Sequence, residues 1–251
     1  MVAPAAPAAW LTTLADLLFP PFCPVCRARL GPGRRDPLCA RCWQGLERIA
    51  GPVCQACGTP LPRFPGAAMP GIGETCGACR VGGSPLAFVR SAARYGDLVR
   101  EAIHAFKFRG RRSMAAPLGD LLIETAARHL AGRPVDLLVP VPLHRRRERD
   151  RGFNQAELLA RRVGAAMAVP VGRRVVVRRA ATAPQTELSA RERWANVRDA
   201  FSLARPRAIQ GRHVVLVDDL VTTGATARAC ASCLARGGVA SVGLLTVARV
   251  L

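Results

Sequence analysis

The chain has 251 residues, which is enough for one large domain or two domains of unequal size. It carries 37 Lys and Arg residues against 17 Asp and Glu, and the formal charge of +20 indicates a polyanionic partner. Hydrophobic residues make up 50%, which excludes wholesale disorder, and aromatic residues only 5%, which counts against a stacking platform for single-stranded nucleic acid. No stretch reaches the roughly 18 apolar residues of a membrane span, so we expect no membrane-spanning helix.

The first predicted element is an N-terminal helix within residues 1–21, which Pro20 and Pro21 end. One face of this helix carries its large apolar residues, Trp10, Leu14, Leu17 and Leu18. The segment has no basic start and contains Asp16, which is not the pattern of a secretory signal. Without an export signal we expect a cytoplasmic, reducing compartment, where cysteines serve as metal ligands, redox groups or small buried residues rather than as disulfides.

Residues 22–85 are rich in Cys, Gly and Pro and show little periodicity. Four Cys-x-x-Cys pairs lie in this segment: Cys23/Cys26, Cys39/Cys42, Cys54/Cys57 and Cys76/Cys79. A two-residue spacer lets two thiolates converge on one tetrahedral ion, and two pairs complete a Cys₄ site. We therefore predict that this segment binds two structural Zn²⁺ ions. We expect the first pair to share one ion with the second pair, and the third pair to share the other ion with the fourth, although the spacing also allows interleaved pairing.

A fifth pair, Cys230/Cys233, lies within a predicted helix and is interpreted as two small buried residues.

Residues 86–251 alternate helical and strand-like segments after a Gly-Gly-Ser-Pro linker that ends at Pro85. This alternation predicts an α/β domain with a mostly parallel, twisted sheet flanked by helices. The predicted elements are a strand at Ala87–Arg90, helices at Asp97–Phe108 and Pro117–Leu130, a strand at Asp136–Val141, a helix at Gln155–Met167, strands at Val175–Val177 and Val214–Val217, a helix at Thr223–Arg236 and a strand at Val239–Val247.

The most informative stretch follows the predicted strand Val214–Val217. Two acids, Asp218 and Asp219, come directly after that strand, at the edge where α/β sheets bind ligands, and their carboxylates can accept hydrogen bonds from ribose hydroxyls. A small loop that opens a helix comes next and consists of Thr222, Thr223, Gly224, Ala225 and Thr226. Threonine hydroxyls and backbone N–H groups at a helix N-terminus can hold a phosphate. A helix cap would explain one Asp or Thr, but not this whole set.

This stretch resembles the phosphoribosyl-pyrophosphate (PRPP) motif of type I phosphoribosyltransferases, in which the acids hold the ribose 2′- and 3′-hydroxyls and the Thr/Gly loop holds the 5′-phosphate. With the cysteine pairs, four further stretches make the chain similar to the ComF (ComF/GntX) family over nearly its whole length: Lys107–Gly110, Val139–Leu143, Arg151–Gln155, and Gln185–Leu188 with Arg193, Asn196 and Arg198. The resemblance implies a double zinc ribbon joined to a phosphoribosyltransferase domain of the type I fold. It also implies PRPP binding with Mg²⁺ and a link to uptake of single-stranded DNA during competence, with single-stranded DNA and other competence proteins as partners.

PRPP chemistry suggests further site residues, because the phosphates need cations and backbone N–H groups around them. Val141 lies at the end of a predicted strand and is expected to begin the pyrophosphate loop. Arg151 is the cation expected to have a specific role, whereas the other arginines of residues 145–149 are expected to form a solvated face. The segment at residues 182–198 resembles the mobile loop that closes over PRPP, with Gln185 and Arg193 as ligand contacts.

Lys107 is the only lysine beside 36 arginines. A compact ammonium is not equivalent to a planar guanidinium near a phosphate, although chance survival of one lysine is the alternative explanation. Lys107, Gln185 and Arg193 are the catalytic candidates. The sequence contains no recognisable acceptor-base pocket, so it leaves open whether turnover occurs.

Two functions from different classes fit this sequence. The first is a PRPP-binding protein that handles single-stranded DNA, and the second is a metabolic phosphoribosyltransferase of nucleotide salvage or of the amidophosphoribosyltransferase type. A third, weaker interpretation is a domain that senses PRPP without catalysing a reaction.

The positive charge is unevenly distributed along the chain. Through Pro85 the formal charge is +4, which two Zn(Cys)₄ sites would neutralise, whereas the remainder carries +16. We therefore expect any electrostatic contact with DNA to come from the phosphoribosyltransferase half.

Overall fold

The computed structural model describes residues 20–31, 36–62, 74–179 and 200–251. The strands in these ranges are β1 (Phe88–Arg94), β2 (Leu137–Pro140), β3 (Val176–Arg178), β4 (Phe201–Leu203), β5 (His213–Val221) and β6 (Ser241–Arg249). The α-helices are α1 (Ala40–Gln44), α2 (Gly77–Val81), α3 (Asp97–Phe108), α4 (Ala115–His129), α5 (Arg145–Arg151), α6 (Gln155–Met167) and α7 (Ala225–Arg236). Within the described residues, no helix is long and apolar enough to cross a membrane.

Four strands form the central sheet in the order β1-β6-β5-β2, and all neighbours run parallel. Helices cover both faces of the sheet, which is why its strands are nearly continuous apolar runs. In β5, Val215 and Val217 belong to the core shared with α3, α4 and α6, whereas Val214 and Leu216 belong to the core shared with α7. The predicted α/β fold with a mostly parallel sheet is therefore confirmed. β3 and β4 form a separate antiparallel pair.

Helices α3 and α6 have the bounds that their apolar periodicity predicts. Strand β5 is longer than predicted, because Asp218 interrupts the apolar run but not the backbone pairing. Asp218 is opposite Thr246 of β6, and the pairing continues through Val221. Helix α7 begins at Ala225 rather than Thr223, since Gly224 adopts a left-handed conformation (φ +77°) immediately before it.

Helix α5 was not predicted, because it consists almost entirely of charged residues and has no apolar periodicity. Its ends explain its formation. The Nδ1 atom of His144 accepts a hydrogen bond from the backbone N–H of Arg146 (3.3 Å), and Gly152 ends the helix at φ +78°. Strand β4 was also missed, since three residues are too few for a periodic pattern to be read.

The cysteine-rich module packs against the outer edge of β1. Arg48 forms an antiparallel bridge with Ala93. The N–H of Ile49 donates to the carbonyl of Ala92 (2.8 Å), and the N–H of Arg94 donates to the carbonyl of Glu47 (2.9 Å). The module thereby covers a sheet edge that would otherwise be open. The predicted N-terminal helix falls almost entirely outside the described residues, and the domain boundary near Pro85 stays a prediction.

Candidate phosphoribosyl pyrophosphate site and metal centres

The eight cysteines of the first half gather into two clusters of four. In each cluster the Sγ atoms all lie within 4.8 Å of one another, and the pairing is sequential: Cys23, Cys26, Cys39 and Cys42 in the first cluster, and Cys54, Cys57, Cys76 and Cys79 in the second. The Sγ atoms of Cys26 and Cys39 are 3.5 Å apart, and those of Cys57 and Cys76 are 3.7 Å apart. Tetrahedral zinc with Zn–S bonds of about 2.3 Å requires S···S edges of about 3.8 Å, so both clusters fit Zn²⁺.

Hydrogen bonds from backbone N–H groups lower the pKa of one thiol in each cluster, whereas burial and the neighbouring thiols raise the pKa of Cys42 and Cys79 above the usual range. Burial raises the pKa of the Cys54 thiol, but hydrogen bonds from the backbone N–H groups of Cys57 and Cys76 outweigh this effect and lower it to about 6. In the first cluster, the same balance lowers the pKa of Cys23 to about 7. Cys230 and Cys233, in contrast, are buried in α7 and belong to neither cluster, in agreement with their interpretation as packing residues.

The two acids of the PRPP-like motif lie on opposite faces of β5, because successive side chains of a strand alternate. Asp219 is buried on the side of α3, where the Nζ atom of Lys107 lies 2.7 Å from its Oδ1 atom. Desolvation and the negative charge of Asp219 raise the pKa of Asp218 to about 7, although Lys107 and the backbone N–H of Asp219 (2.8 Å) lower it in part. The pair therefore concentrates negative charge at the carboxyl end of the strand.

Three cations come from different elements and surround this acidic pair. Lys107 lies in the last turn of α3, and Arg151 ends α5 with its guanidinium 5.1 Å from the ring centre of Phe108. Burial lowers the pKa of Arg151, whereas the charges of Asp219 and Asp218 raise it, so Arg151 is within electrostatic range of both acids. Arg178, at the end of β3, interacts electrostatically with Asp218.

Arg178 is the site residue that sequence reasoning missed. It belongs to none of the recognised stretches, and its position depends on a bridge between residues far apart in sequence, in which Arg178 pairs with His144 after β2. The arginines of α5 have the exposure that the sequence predicts. Arg145, Arg146, Arg147 and Arg149 are exposed, whereas Arg151 is partly buried beside the acids.

The loop between β5 and α7 has the shape of an anion cradle. Gly224 adopts φ +77°, which favours glycine, and the chain then enters α7 with its first N–H groups directed at the loop. The loop borders a cavity of about 50 Å³ whose lining includes all three motif threonines and the strand end: Asp218, Leu220, Val221, Thr222, Thr223, Gly224, Ala225, Thr226, Ala227, Leu244 and Thr246. The residues predicted to hold a phosphate are thus brought together around one cavity.

Val141 lies beside this loop at the same sheet edge. Its N–H donates to the carbonyl of Val217 (2.9 Å), and its carbonyl accepts from the Nδ2 atom of Asn154 (3.1 Å). The Oδ1 atom of Asn154 also accepts from the N–H of Ala156 (3.0 Å), so one side chain caps α6 and fixes the chain after β2. Gln185 and Arg193, with the rest of residues 182–198, lie outside the described residues.

Each half of the chain matches a known domain family. Residues 14–80 match the double zinc ribbon domain, and residues 149–251 match the phosphoribosyl transferase domain. The chain is 34% identical to the DNA utilization protein YhgH of Salmonella typhi, over 94% of this chain and 100% of that protein. It is 29% identical to the competence protein ComFC of Bacillus subtilis, over 85% of each chain. The chain belongs to the ComF family.

Another ComF relative is the competence protein F of Haemophilus influenzae, which is 29% identical over 90% of this chain and 96% of its own length. The fold of this ComF chain is that of a type I phosphoribosyltransferase with an N-terminal zinc-ribbon module. The matched phosphoribosyl transferase range begins only at residue 149, yet β1, α3 and β2 complete the same sheet and core. The structural unit therefore includes Lys107, which lies before the matched range and contacts Asp219 within it.

Proposed function

We propose that this ComF-family protein binds PRPP together with Mg²⁺ at the carboxyl end of β5. The observation that carries the proposal is the ion pair between the partly buried Lys107 and the buried Asp219, which joins the only lysine to the PRPP-like motif. The neighbouring acid of the motif, Asp218, borders the cavity of the Thr/Gly loop. Asp218 and Asp219 accept hydrogen bonds from the ribose hydroxyls, and residues 222–226 hold the 5′-phosphate through hydroxyl and backbone N–H groups. Carboxylate and phosphate oxygens are the ligands that Mg²⁺ prefers, so the ion enters with the pyrophosphate.

The other predicted residues serve the pyrophosphate end of PRPP. The backbone after Val141 and the guanidinium of Arg151 face the leaving group, and Gln185 and Arg193 contact the ligand. In a transfer reaction, the acceptor forms a bond to the anomeric carbon as the bond from that carbon to pyrophosphate breaks. Pyrophosphate leaves with the electron pair while positive charge develops on the ribose. Lys107 and Arg151 stabilise the departing negative charge, and the nearby carboxylates stabilise the ribose.

We further propose that the protein acts in the cytoplasm in the handling of single-stranded DNA. Its relatives are named for DNA utilization and for competence. The phosphoribosyltransferase half carries the excess of basic residues, and α5 exposes four arginines next to the candidate site. A reducing compartment is also the one in which two clusters of four thiolates persist as metal ligands.

A metabolic phosphoribosyltransferase of nucleotide salvage or of the amidophosphoribosyltransferase type is the second candidate, because the site contains both the acids and the cations that transfer requires. The two functions differ in the acceptor, which is a small nucleophile only for the metabolic enzyme. The purified protein is incubated with PRPP, Mg²⁺ and a series of small nucleophiles, and pyrophosphate release is measured. Its affinity for a single-stranded oligonucleotide is then measured at several salt concentrations.

DNA handling predicts oligonucleotide binding that weakens steeply with salt and that is unaffected by removal of the zinc ribbon's own basic residues. Rapid pyrophosphate release with a small nucleophile, and no oligonucleotide binding at low salt, would instead establish the metabolic function.

A further inference from the structure

Arg90 is a buried arginine with no carboxylate partner among the described residues. It lies in β1, next to the ribbon, and only 5% of its surface is exposed. Its Nη1 atom donates to the carbonyl of Gln55 (3.0 Å) and to that of Val89 (2.7 Å), and it lies 3.5 Å from the carbonyl of Cys54. Its Nε atom is buried and has no hydrogen-bond partner. Arginines are almost never buried unless their charge is balanced, so the balancing charge has to be found elsewhere.

Arg90 contacts the backbone of the second cysteine cluster, whose thiolates supply negative charge. Burial lowers the pKa of the Arg90 guanidinium and the positive charge of Arg133 lowers it further, whereas the thiolates of Cys54 and Cys57 raise it. Zn²⁺ bound by four thiolates retains two units of negative charge. A guanidinium fixed beside such a site offsets that charge and holds the backbone of its ligands, as partners outside the ligand set of metal sites do.

Arg249, at the end of β6, contacts the same cysteine pair. Its Nη1 atom donates to the carbonyl of Cys57, and its Nε atom is also buried without a partner. The ribbon backbone lies directly on β1 here, because a Cβ atom on Gly58 would lie 2.2 Å from the carbonyl oxygen of Val89. Two arginines of the sheet therefore bind three backbone carbonyls of one Cys-x-x-Cys segment: those of Cys54, Gln55 and Cys57.

The first cluster has a different surrounding. Its polar contact from the phosphoribosyltransferase side is Arg109, whose Nη1 atom donates to the carbonyl of Pro24 (3.1 Å) at an exposed position. Arg109 also pairs with Glu101, so its charge is already balanced. Among the described residues, therefore, only the second cluster is contacted by a buried guanidinium that has no carboxylate partner.

We propose that Arg90 and Arg249 are positioning residues for zinc in the second cysteine cluster. Arg90 balances the charge of the metal–thiolate centre, and both arginines hold the carbonyls of the Cys-x-x-Cys segment that begins at Cys54. The inference concerns zinc affinity alone and does not depend on PRPP binding.

The test uses the full-length, zinc-loaded protein and three variants: Arg90→Met, Arg90→Lys and Arg249→Met. Zinc release to a chromogenic chelator is followed together with thiol alkylation, and mass spectrometry identifies which cysteines react. Arg48→Met is the matched control, because Arg48 also bridges ribbon and domain through Trp43 and Glu124 but does not contact the second cluster.

In Arg90→Met we expect the four cysteines of the second cluster to be alkylated about 10- to 100-fold faster, with those of the first cluster unchanged. Arg90→Lys restores the charge and is expected to recover most of the protection. If Arg90→Met does not fold, Arg249→Met provides the same selective readout at a less buried position. Equal acceleration at both clusters, or no acceleration in either Arg90→Met or Arg249→Met, would overturn the proposal.

Discussion

The Nζ atom of Lys107 lies 2.7 Å from the Oδ1 atom of Asp219, and their side chains are 20% and 6% exposed. This ion pair connects the last turn of α3 to the end of β5 and closes one side of the candidate site. A lysine nitrogen is compact enough to contact one carboxylate oxygen and still present hydrogens to a ligand, which a bidentate guanidinium would not do in the same space.

Loss of this ion pair is expected to destabilise the protein. Lys107→Met leaves Asp219 buried without its cation, and removing one partner of a buried pair costs about 3 kcal/mol. Urea denaturation without ligand measures the change in the free energy of unfolding. Arg100→Met, which removes an exposed pair with Asp97 on the same helix, serves as the control and should cost less than about 0.5 kcal/mol. Equal effects of the two substitutions would contradict the importance of the Lys107–Asp219 contact.

Lys107→Arg separates the charge of Lys107 from its shape. The variant keeps the positive charge, so we expect stability close to that of the wild type, but PRPP affinity about tenfold lower because the planar fork displaces the ligand-facing position. Calorimetric titration with PRPP and Mg²⁺ measures this change. An unchanged affinity would leave the single lysine as a product of chance.

Protonation of Asp218 stabilises the folded state, so the free energy of unfolding depends on pH. Its pKa is about 7 in the folded protein against an ordinary value of 3.8, so the folded state holds the proton more tightly than the unfolded state. The stability that this group contributes is complete below pH 4 and is lost as the pH rises through 7. The difference in unfolding free energy between wild type and Asp218→Asn should therefore shift against the wild type from pH 5 to pH 7.5. A difference that is constant over this range would show that Asp218 titrates normally.

Gly224 offers a test of the phosphate loop with a matched glycine elsewhere. Gly224 and Gly211 both adopt positive φ (+77° and +68°), and a Cβ atom would meet no close neighbour at either position. Substitution by alanine should cost each variant about 1 kcal/mol of stability through backbone strain. Only Gly224→Ala should also weaken PRPP binding, by about tenfold, because its strain reorients the N–H groups of the loop. Equal PRPP affinities in the two variants would exclude this loop as the phosphate site.

The second cysteine cluster borders the phosphate loop. A cavity of about 100 Å³ separates them, with Cys57 and Cys79 in one wall and Thr222 and Thr223 in the other. We therefore expect Cys79→Ser to lower PRPP affinity about tenfold, whereas Cys26→Ser, in the exposed part of the first cluster, should change it much less. Titration of both variants with PRPP and Mg²⁺, after circular dichroism has established that they fold, measures the contrast. A larger loss in Cys26→Ser would contradict the arrangement.

The sequence predicted those features of the structure that depend on residues close together in the chain. The apolar stripe of Asp97–Phe108 and the four cysteine pairs required no tertiary information, and the motif after Val217 predicted which edge of the sheet holds the candidate site. Contacts between distant segments could not be predicted. The approach of Arg178 to Asp218 depends on a bridge to His144, and the burial of Arg90 depends on where the ribbon docks. A sequence pattern shows which residues share a face, but not which other element covers that face.

PRPP binding by the acidic pair is the central claim, and calorimetric titration of the full-length protein with PRPP and Mg²⁺ tests it most directly. The wild type should bind one PRPP per chain, and the double variant Asp218→Asn/Asp219→Asn should bind at least about 100-fold more weakly, since it loses two charge-assisted acceptors. Asp120→Asn, which removes an acid that pairs with Arg162 on the far helices, should bind like the wild type. Absence of binding by the wild type, or equal affinities in the wild type and the double variant, would contradict the account.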